Sequence, residues 1–154
     1  MKKTILASTL MIALNIGNAL AAPINNLGNE QTAIGVQDKR AYIEHKFGDT
    51  IIFGVQKDDV YGQFTAIPHI RILAGSRDYH DDSQFYGGLA LTASLVPNVN
   101  GYASLTSGND FKEMQVGANL NIAPNLDLNL NYRSLMPDHG NDDNQTTVGA
   151  TFKF

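Results

Sequence analysis

The sequence predicts an all-β fold: an antiparallel up-and-down transmembrane β-barrel of about 10 strands, with 8 as the alternative, after a cleaved signal peptide. Three observations support it. Apolar and polar residues alternate along most of the chain, the connections between alternating segments are of two kinds, and an apolar run lies near the start. Together they describe an exported sheet that closes on itself in a membrane.

The C-terminal third carries the clearest alternation. Its first two segments are separated by the tight turn Ala123-Pro124-Asn125. The apolar positions are Met114, Val116, Ala118, Leu120 and Ile122, then Leu126, Leu128, Leu130 and Tyr132, then Thr146, Val148, Ala150, Phe152 and Phe154. Since successive side chains of a strand point to opposite faces, a period of two predicts strands with one apolar and one polar face.

The same period continues upstream and yields ten segments. In chain order they cover residues 32–37, 40–47, 50–56, 60–67, 69–74, 85–96, 101–107, 113–122, 126–133 and 145–154. The first and the seventh are the weakest segments, and 8 strands is the alternative if the first or the seventh fails. His45 interrupts the apolar face of the second segment, which indicates a local register shift or a position at an interface.

The connections sort into two sets. Short turns at 48–49, 68, 97–100 and 123–125 alternate with a set that includes two long polar loops, around Asp78 and around Asp138. Every second connection of a meander lies at the same end, so the sorting predicts a closed barrel with one plain and one elaborated end. A soluble periplasmic sandwich is the alternative fold, because its strands would alternate as well.

The N-terminus has the features of a secretory signal. Lys2 and Lys3 precede an apolar run at 5–16, and Ala19-Leu20-Ala21 is an Ala-x-Ala cleavage site. We expect a signal peptide at 1–21, a flexible lead-in rich in Asn and Gly at 22–30, and the barrel at 31–154. A retained spanning helix would need roughly 20 apolar residues.

Composition excludes several classes of protein. The chain has no cysteine, so an exported domain of this size must hold together without disulfides. Without Lys2 and Lys3, nine Lys and Arg remain against fifteen Asp and Glu. This acidic balance is unsuited to nucleic acid, which needs a basic footprint. No motif indicates a cofactor.

Strand length and aromatic placement indicate lipid outside the barrel. The longer segments reach the roughly 9 residues that a tilted spanning strand needs. Aromatic residues near strand ends are typical of interfacial girdles, and here they are Phe47, Tyr79, Phe85, Phe111, Tyr132, Phe152 and Phe154. We expect the outer membrane of a Gram-negative bacterium, with outer-membrane lipid and the barrel-assembly machinery as partners, the latter through the assembly signal Phe154.

The second half of the chain has a distinctive order of motifs. It reads YGGLALTASLVPNVNGYASL, then FKEMQVGANLNIAPNLDLNLNYRSL, then a loop rich in Asn, Asp and Gly, then TTVGATFKF. This order resembles the C-terminal half of the YfaZ family of small bacterial outer-membrane proteins. The resemblance covers residues 85–154, and the N-terminal half matches in pattern only. It implies an outer-membrane barrel and supplies no substrate.

The polar strand faces predict the lining of the lumen. The residues expected there are Arg71, Arg77, Glu113, Asn119, Asp127, Asn129, Asn131, Arg133 and Lys153. A barrel of this size is just wide enough for side chains to fill it. The opposite charges therefore either pair inside a filled lumen or line a narrow pore, and both interpretations stay open.

Both long loops hold a histidine among carboxylates. The candidate ligands for a divalent cation are Asp78, Asp81, Asp82, Asp138, Asp142 and Asp143, without EF-hand spacing. The simpler interpretation is a solvated acidic rim. Two conceivable hydrolytic sets are Ser134, Asp138 and His139, and Ser83, His80 and Asp82, but closeness within one loop is not catalytic geometry.

We therefore predict an integral outer-membrane barrel without catalytic activity, in a structural or passive narrow-pore role. The alternative is a surface binding module whose acidic loops contact cations, lipopolysaccharide or a host ligand. An envelope lipid enzyme is the third class. No residue pattern indicates a solute or an oligomeric state.

Overall fold

The computed structural model describes residues 21–79 and 82–154, and these form a closed antiparallel barrel. Each strand pairs with its sequence neighbours, and the first pairs with the last, so the sheet has no free edge. The strands are β1 (Thr32–Gln37), β2 (Arg40–Phe47), β3 (Ile51–Gln56), β4 (Asp59–Ile67), β5 (Ile70–Tyr79), β6 (Asp82–Val96), β7 (Val99–Gly108), β8 (Phe111–Ala123), β9 (Leu126–Pro137) and β10 (Asp143–Lys153). The prediction of a ten-stranded up-and-down barrel is confirmed.

The two predicted long loops lie at the same end of the barrel, which we call the loop end. They are shorter than expected, because β5 runs to Tyr79 and β6 begins at Asp82, while β9 runs to Pro137 and β10 begins at Asp143. The polar residues at these positions continue the hairpins beyond the apolar band. The opposite end, which holds Phe154 and the residues before β1, is the terminal end.

Outward-facing side chains form an apolar band around the barrel. Large apolar side chains are exposed on β2 to β10, and aromatic ones lie towards both ends, with Phe47 and Phe152 at the terminal end and Phe85 at the loop end. A closed sheet satisfies its backbone groups internally, and an apolar exterior around a polar interior suits hydrocarbon. This is the architecture of an integral outer-membrane barrel of Gram-negative bacteria, and it excludes the sandwich. No helix in the described ranges is long and apolar enough to cross a membrane.

Phe111 is not part of the aromatic girdle. It is the first residue of β8 and shares the inward face with Glu113, so it is 1% exposed. Its ring lies 6.2 Å from the ring of Tyr86, and the guanidinium carbon of Arg77 lies 5.5 Å from its centroid. Alternation within β8, rather than closeness to a strand end, decides its position.

His45 lies on the outer face of β2 without disturbing the register, since it pairs with Thr32 and Phe53. Its Nδ1 is 2.8 Å from the Thr32 hydroxyl, and its Nε2 is 3.6 Å from a carboxylate oxygen of Glu30. These polar partners belong to the terminal end of the barrel. Of the two explanations from sequence, the register shift is excluded, and the interfacial position stays a prediction.

Four tyrosines lie flat on the inner wall, each directly opposite a glycine of the adjacent strand. A methyl group at any of these glycines would overlap the tyrosine ring. The pairs are Tyr42 with Gly35, Tyr61 with Gly54, Tyr86 with Gly75, and Tyr102 with Gly117. An aromatic ring that covers a glycine restores the packing that the glycine lacks. The arrangement directs the tyrosine hydroxyls into the lumen.

Candidate functional site in the barrel lumen

All nine residues predicted to line the lumen face the interior. Eight of them are at most 6% exposed, and the Lys153 side chain, near the terminal end, is 12% exposed. Inward faces of successive strands meet in a barrel of this width. The structure therefore brings the predicted polar residues together, and their partners follow from the register.

One group of charged side chains crosses the loop-end half of the lumen, and we call it the ionic layer. The Arg77 guanidinium donates to Asp59 at 2.9 Å and to Glu113 at 2.9 Å. Arg133 lies 3.4 Å from Glu113 and 2.9 Å from Asp143. The Tyr86 hydroxyl donates to Asp59 at 2.9 Å, which ties in a further strand. The ionic layer thus links β4, β5, β6, β8, β9 and β10.

Asp59 is the member of the ionic layer that the sequence analysis missed. The run Lys57-Asp58-Asp59 looked like a break between strands, whereas β4 begins at Asp59 and pairs it with Arg77. Asp59 lies two residues before Tyr61, so both face the lumen, and Asp59 is 3% exposed. Extending the alternation by one residue would have found it.

The chain before β1 enters the barrel, and we call residues 22–27 the plug. Ala22, Pro23, Ile24, Asn25 and Leu27 are buried, whereas Asn26 and the following 28–30 are exposed. The sequence analysis expected a flexible lead-in here, because Asn and Gly are common in exposed, mobile chain. The structure differs over the first part of this stretch, because the polar wall of the lumen offers it partners.

Side chains of the wall bind the plug's backbone. Its carbonyl oxygens would be costly to bury without donors. Four of them accept hydrogen bonds: Ala22 from Gln115 at 3.2 Å, Ile24 from Asn119 at 2.8 Å, Asn25 from Arg71 at 2.8 Å, and Leu27 from Lys46 at 3.0 Å. The plug therefore lies against β2, β5 and β8 at once.

Asn25 is the polar centre of the plug and is fully buried. Its amide donates to Glu44 at 2.9 Å and to the Tyr42 hydroxyl at 3.2 Å. Glu44 also accepts from the Tyr61 hydroxyl at 2.7 Å. A buried carboxylate needs several donors, and the plug supplies one that the strands do not.

Apolar side chains of the plug pack against small apolar groups of the wall. Ile24 contacts Leu73, Ala90 and Tyr102. Ala22 packs with Tyr42 and Tyr61, and Leu27 with Ala33 and Ile52. The inward apolar residues of the wall are therefore the plug's contact surface.

Little open space remains inside. A cavity of about 30 Å³ separates the start of the plug from the ionic layer. A second, of about 220 Å³, opens at the terminal end beside Asn26, Lys46 and Arg71. Also at the terminal end, Lys153 pairs with Asp127 at 2.9 Å.

Among the described residues, the loop-end candidates for metal binding and hydrolysis do not converge. Asp81 and His80 lie outside the described residues. Asp78 accepts a hydrogen bond from Ser83, and Asp143 pairs with Arg133. Among the side chains that the structure describes, no three histidines, aspartates or glutamates are placed to hold a metal ion. The candidates Asp82, Asp138 and Asp142 therefore belong to no such group. Ser134 faces outwards from β9, with the opposite parity to Arg133.

No protein-family model and no curated protein matches the sequence. A de novo designed transmembrane β-barrel is 13% identical, over 83% of this chain and 98% of that one, with a TM-score of 0.45. The N-terminal β-barrel domain of Pseudomonas aeruginosa OprF is 12% identical, over 83% and 100%, with a TM-score of 0.42. Neisserial surface protein A is 14% identical, over 80% and 92%, with a TM-score of 0.40. These likenesses are too distant to assign a family, so the resemblance to the YfaZ family stays a prediction.

Proposed function

We propose that the protein is a structural outer-membrane barrel with a closed lumen and no catalytic activity. The observation that carries this proposal is that two separate features, the ionic layer and the plug, occupy the lumen. Porins keep a water-filled channel, whereas two cavities among the described residues measure about 30 and 220 Å³ and share no lining residue. Of the two interpretations open from sequence, the filled lumen is the better supported.

Single-channel conductance in planar bilayers tests the closed lumen. The mature protein should give no stable current steps. A variant with residues 22–27 replaced by Gly and Ser should remain closed, because the ionic layer is intact, and so should Arg77→Ala alone, because the plug remains. Combining the two changes should produce steps. Stable steps from the unmodified protein would refute the closed lumen.

The absence of catalysis is supported by the positions of the two candidate nucleophiles, because Ser83 donates to Asp78 and Ser134 faces outwards. The test is mass spectrometry of phospholipids and lipopolysaccharide from cells with and without the protein. We expect identical lipid profiles. A lysolipid or altered lipid A that appears with the protein and disappears in His139→Ala or His80→Ala would establish an enzyme instead.

Recognition by the barrel-assembly machinery through Phe154 remains part of the proposal. Phe154 continues the ladder, since its N–H and C=O both pair with Thr32 at 2.9 Å. We expect Phe154→Ala to lower the amount of protein in the outer membrane but not the yield of refolding into lipid vesicles. The control is Phe64→Ala, another exposed aromatic of the outer face. Equal losses for both variants would argue against a specific signal.

A further inference from the structure

A polar cavity opens at the terminal end of the lumen, between the plug and the ends of four strands. Its volume is about 220 Å³, whereas a single water molecule needs roughly 10–15 Å³ of such space. Asn26 and Leu27 of the plug form part of its lining. The strands β2, β4, β5 and β6 contribute Lys46, Thr65, Arg71 and Thr92, in that order. The cavity therefore has room for a ligand of several heavy atoms.

Two of the lining residues are cations, and they differ from the other cations of the lumen. Among the described residues, Arg71 and Lys46 have no carboxylate oxygen within 4 Å, and both donate to uncharged oxygens of the plug or of Gln63. The remaining inward-facing cations each form an ion pair within that distance: Arg40, Arg77, Arg133 and Lys153. The cations beside the cavity are thus the ones without a carboxylate partner in the described chain.

Donors remain for a ligand in the cavity. The Arg71 guanidinium has five N–H groups and uses three, and the Lys46 ammonium has three and uses one. The hydroxyls of Thr65 and Thr92 make no hydrogen bond to any residue that the structure describes. Because arginine and lysine side chains have no acceptors, the lining selects a ligand that accepts hydrogen bonds.

Two carboxylates surround these cations without pairing with them. Asp49 lines the cavity as an exposed residue of the turn after β2. Glu44 acts on Arg71 electrostatically, but its oxygens accept hydrogen bonds from three uncharged side chains. The formal charges of the four groups therefore balance. A ligand would be held by charge-assisted hydrogen bonds from the unused donors, and not by a surplus of positive charge.

The cavity lies at the level of the membrane surface. Short turns are on the periplasmic side of outer-membrane barrels, and the lining residues His69 and Ser94 lie in or beside two such turns. On the outer face nearby, Ile67 and Leu95 are 57% and 60% exposed and continue the apolar band to this level. Dissolved anions of the periplasm and lipid headgroups of the inner leaflet both have access to such a position.

We propose that this cavity is a phosphate-binding site on the periplasmic side of the barrel. Arg71 and Lys46 donate to the phosphate oxygens, and the hydroxyls of Thr65 and Thr92 donate to those that remain. Guanidinium and ammonium groups are the side chains that proteins use for phosphate, the first as a planar fork and the second as a compact charge. The inference does not depend on whether the barrel conducts.

Calorimetric titration with inorganic phosphate tests the site, on the protein refolded in an uncharged detergent that contains no phosphate. We expect saturable binding, weakened at least about tenfold in Lys46→Gln, as for the loss of a hydrogen bond from a charged group. Lys57→Gln removes an exposed cation at the loop end and is the matched control. Asp49→Asn should tighten binding by up to about fivefold, because it removes a carboxylate from the lining.

A second variant covers the case in which Lys46→Gln does not fold. Thr92→Val keeps the shape of the side chain and both cations, and removes one hydroxyl donor. It should weaken phosphate binding by about two- to tenfold, as for the loss of a neutral hydrogen bond. Ser107→Ala removes an exposed hydroxyl elsewhere on the barrel and is its control. Equal phosphate affinity in Thr92→Val and Ser107→Ala would argue against the site.

The two sources of phosphate are separated by native mass spectrometry of the barrel equilibrated with phosphatidylglycerol in the same detergent. Lipid that Lys46→Gln loses and Lys57→Gln retains, without a calorimetric signal from inorganic phosphate, supports a site for a headgroup. Calorimetric binding without retained lipid supports a site for dissolved phosphate. If both bind, inorganic phosphate should displace the lipid. Absence of both, or equal binding by Lys46→Gln and Lys57→Gln, would overturn the proposal.

Discussion

The ionic layer and the plug close one lumen by different means. In the ionic layer, side chains anchored on six strands reach across to each other: register brings Arg77 to Asp59, and closure of the barrel brings it to Glu113. In the plug, a separate stretch of chain fills the space, held by amide side chains such as Asn119 and by Arg71. The comparison teaches that closure at the loop end is inherent in the closed sheet, whereas closure at the terminal end depends on added chain.

The largest effect should come from removing the central cation of the ionic layer. Arg77→Ala leaves Asp59 and Glu113 buried without their main partner, and breaking a buried pair in this way costs about 3–5 kcal/mol. Urea unfolding in lipid vesicles measures the change. Lys57→Ala, which removes an exposed cation, is the control. If both variants unfold alike, the ionic layer contributes nothing to stability.

Next come the glycines under the tyrosine rings. Gly75→Ala should displace Tyr86 from Asp59, and Gly54→Ala should displace Tyr61 from Glu44, each at about 1–3 kcal/mol for overpacking. The same unfolding measurement applies. At Gly62 a methyl group would meet nothing closer than 3.9 Å, so Gly62→Ala is the matched control.

The two glycine variants also distinguish the halves of the lumen. Tyr61 contacts the plug through Glu44, whereas Tyr86 donates to Asp59 and only packs against the cluster of Ala22, Tyr42 and Tyr61. Gly54→Ala should therefore make residues 22–27 more accessible to proteolysis than Gly75→Ala does. Equal proteolysis of both variants would mean that the two halves act as one unit.

A smaller effect is expected within the plug. Asn25→Ala removes a donor to Glu44 and to Tyr42, but Tyr61 and Gln63 still donate to Glu44. We expect about 1–2 kcal/mol, as for a lost hydrogen bond to a charged group. Asn29→Ala, in the exposed stretch that follows the plug, provides the control. Hydrogen exchange at the amides of residues 22–27 should rise in Asn25→Ala only, and unchanged exchange would show that Asn25 does not anchor the plug.

The smallest effect is expected at the rim. Asp58 lies 3.6 Å from Arg40 and its side chain is 28% exposed. Asp58→Asn keeps an oxygen that can accept from Arg40, whose side chain is 8% exposed, so the free energy of unfolding should change by about 1 kcal/mol. The unfolding measurement that serves for Arg77→Ala checks this. If Asp58→Asn lowers the free energy of unfolding as much as Arg77→Ala does, the rim behaves like the buried interior.

Much of the fold could be predicted because alternation is a local property. Strand β2 was predicted at its observed bounds, and Arg71, Arg77 and Glu113 were assigned to the correct face, since neighbours along the chain decide parity. Phe111 was assigned to the wrong surface, because its closeness to a strand end was given more weight than its parity.

The sequence by itself determined the strand count, the inward and outward faces and the apolar band, because each depends on residue types two positions apart. Only the tertiary structure decided which charges meet, since Arg77 and Glu113 lie on strands that are not adjacent. It also decided the place of residues 22–27, whose composition suits exposed chain equally well. Their burial depends on donors such as Arg71 and Asn119, which the closed barrel brings to one place.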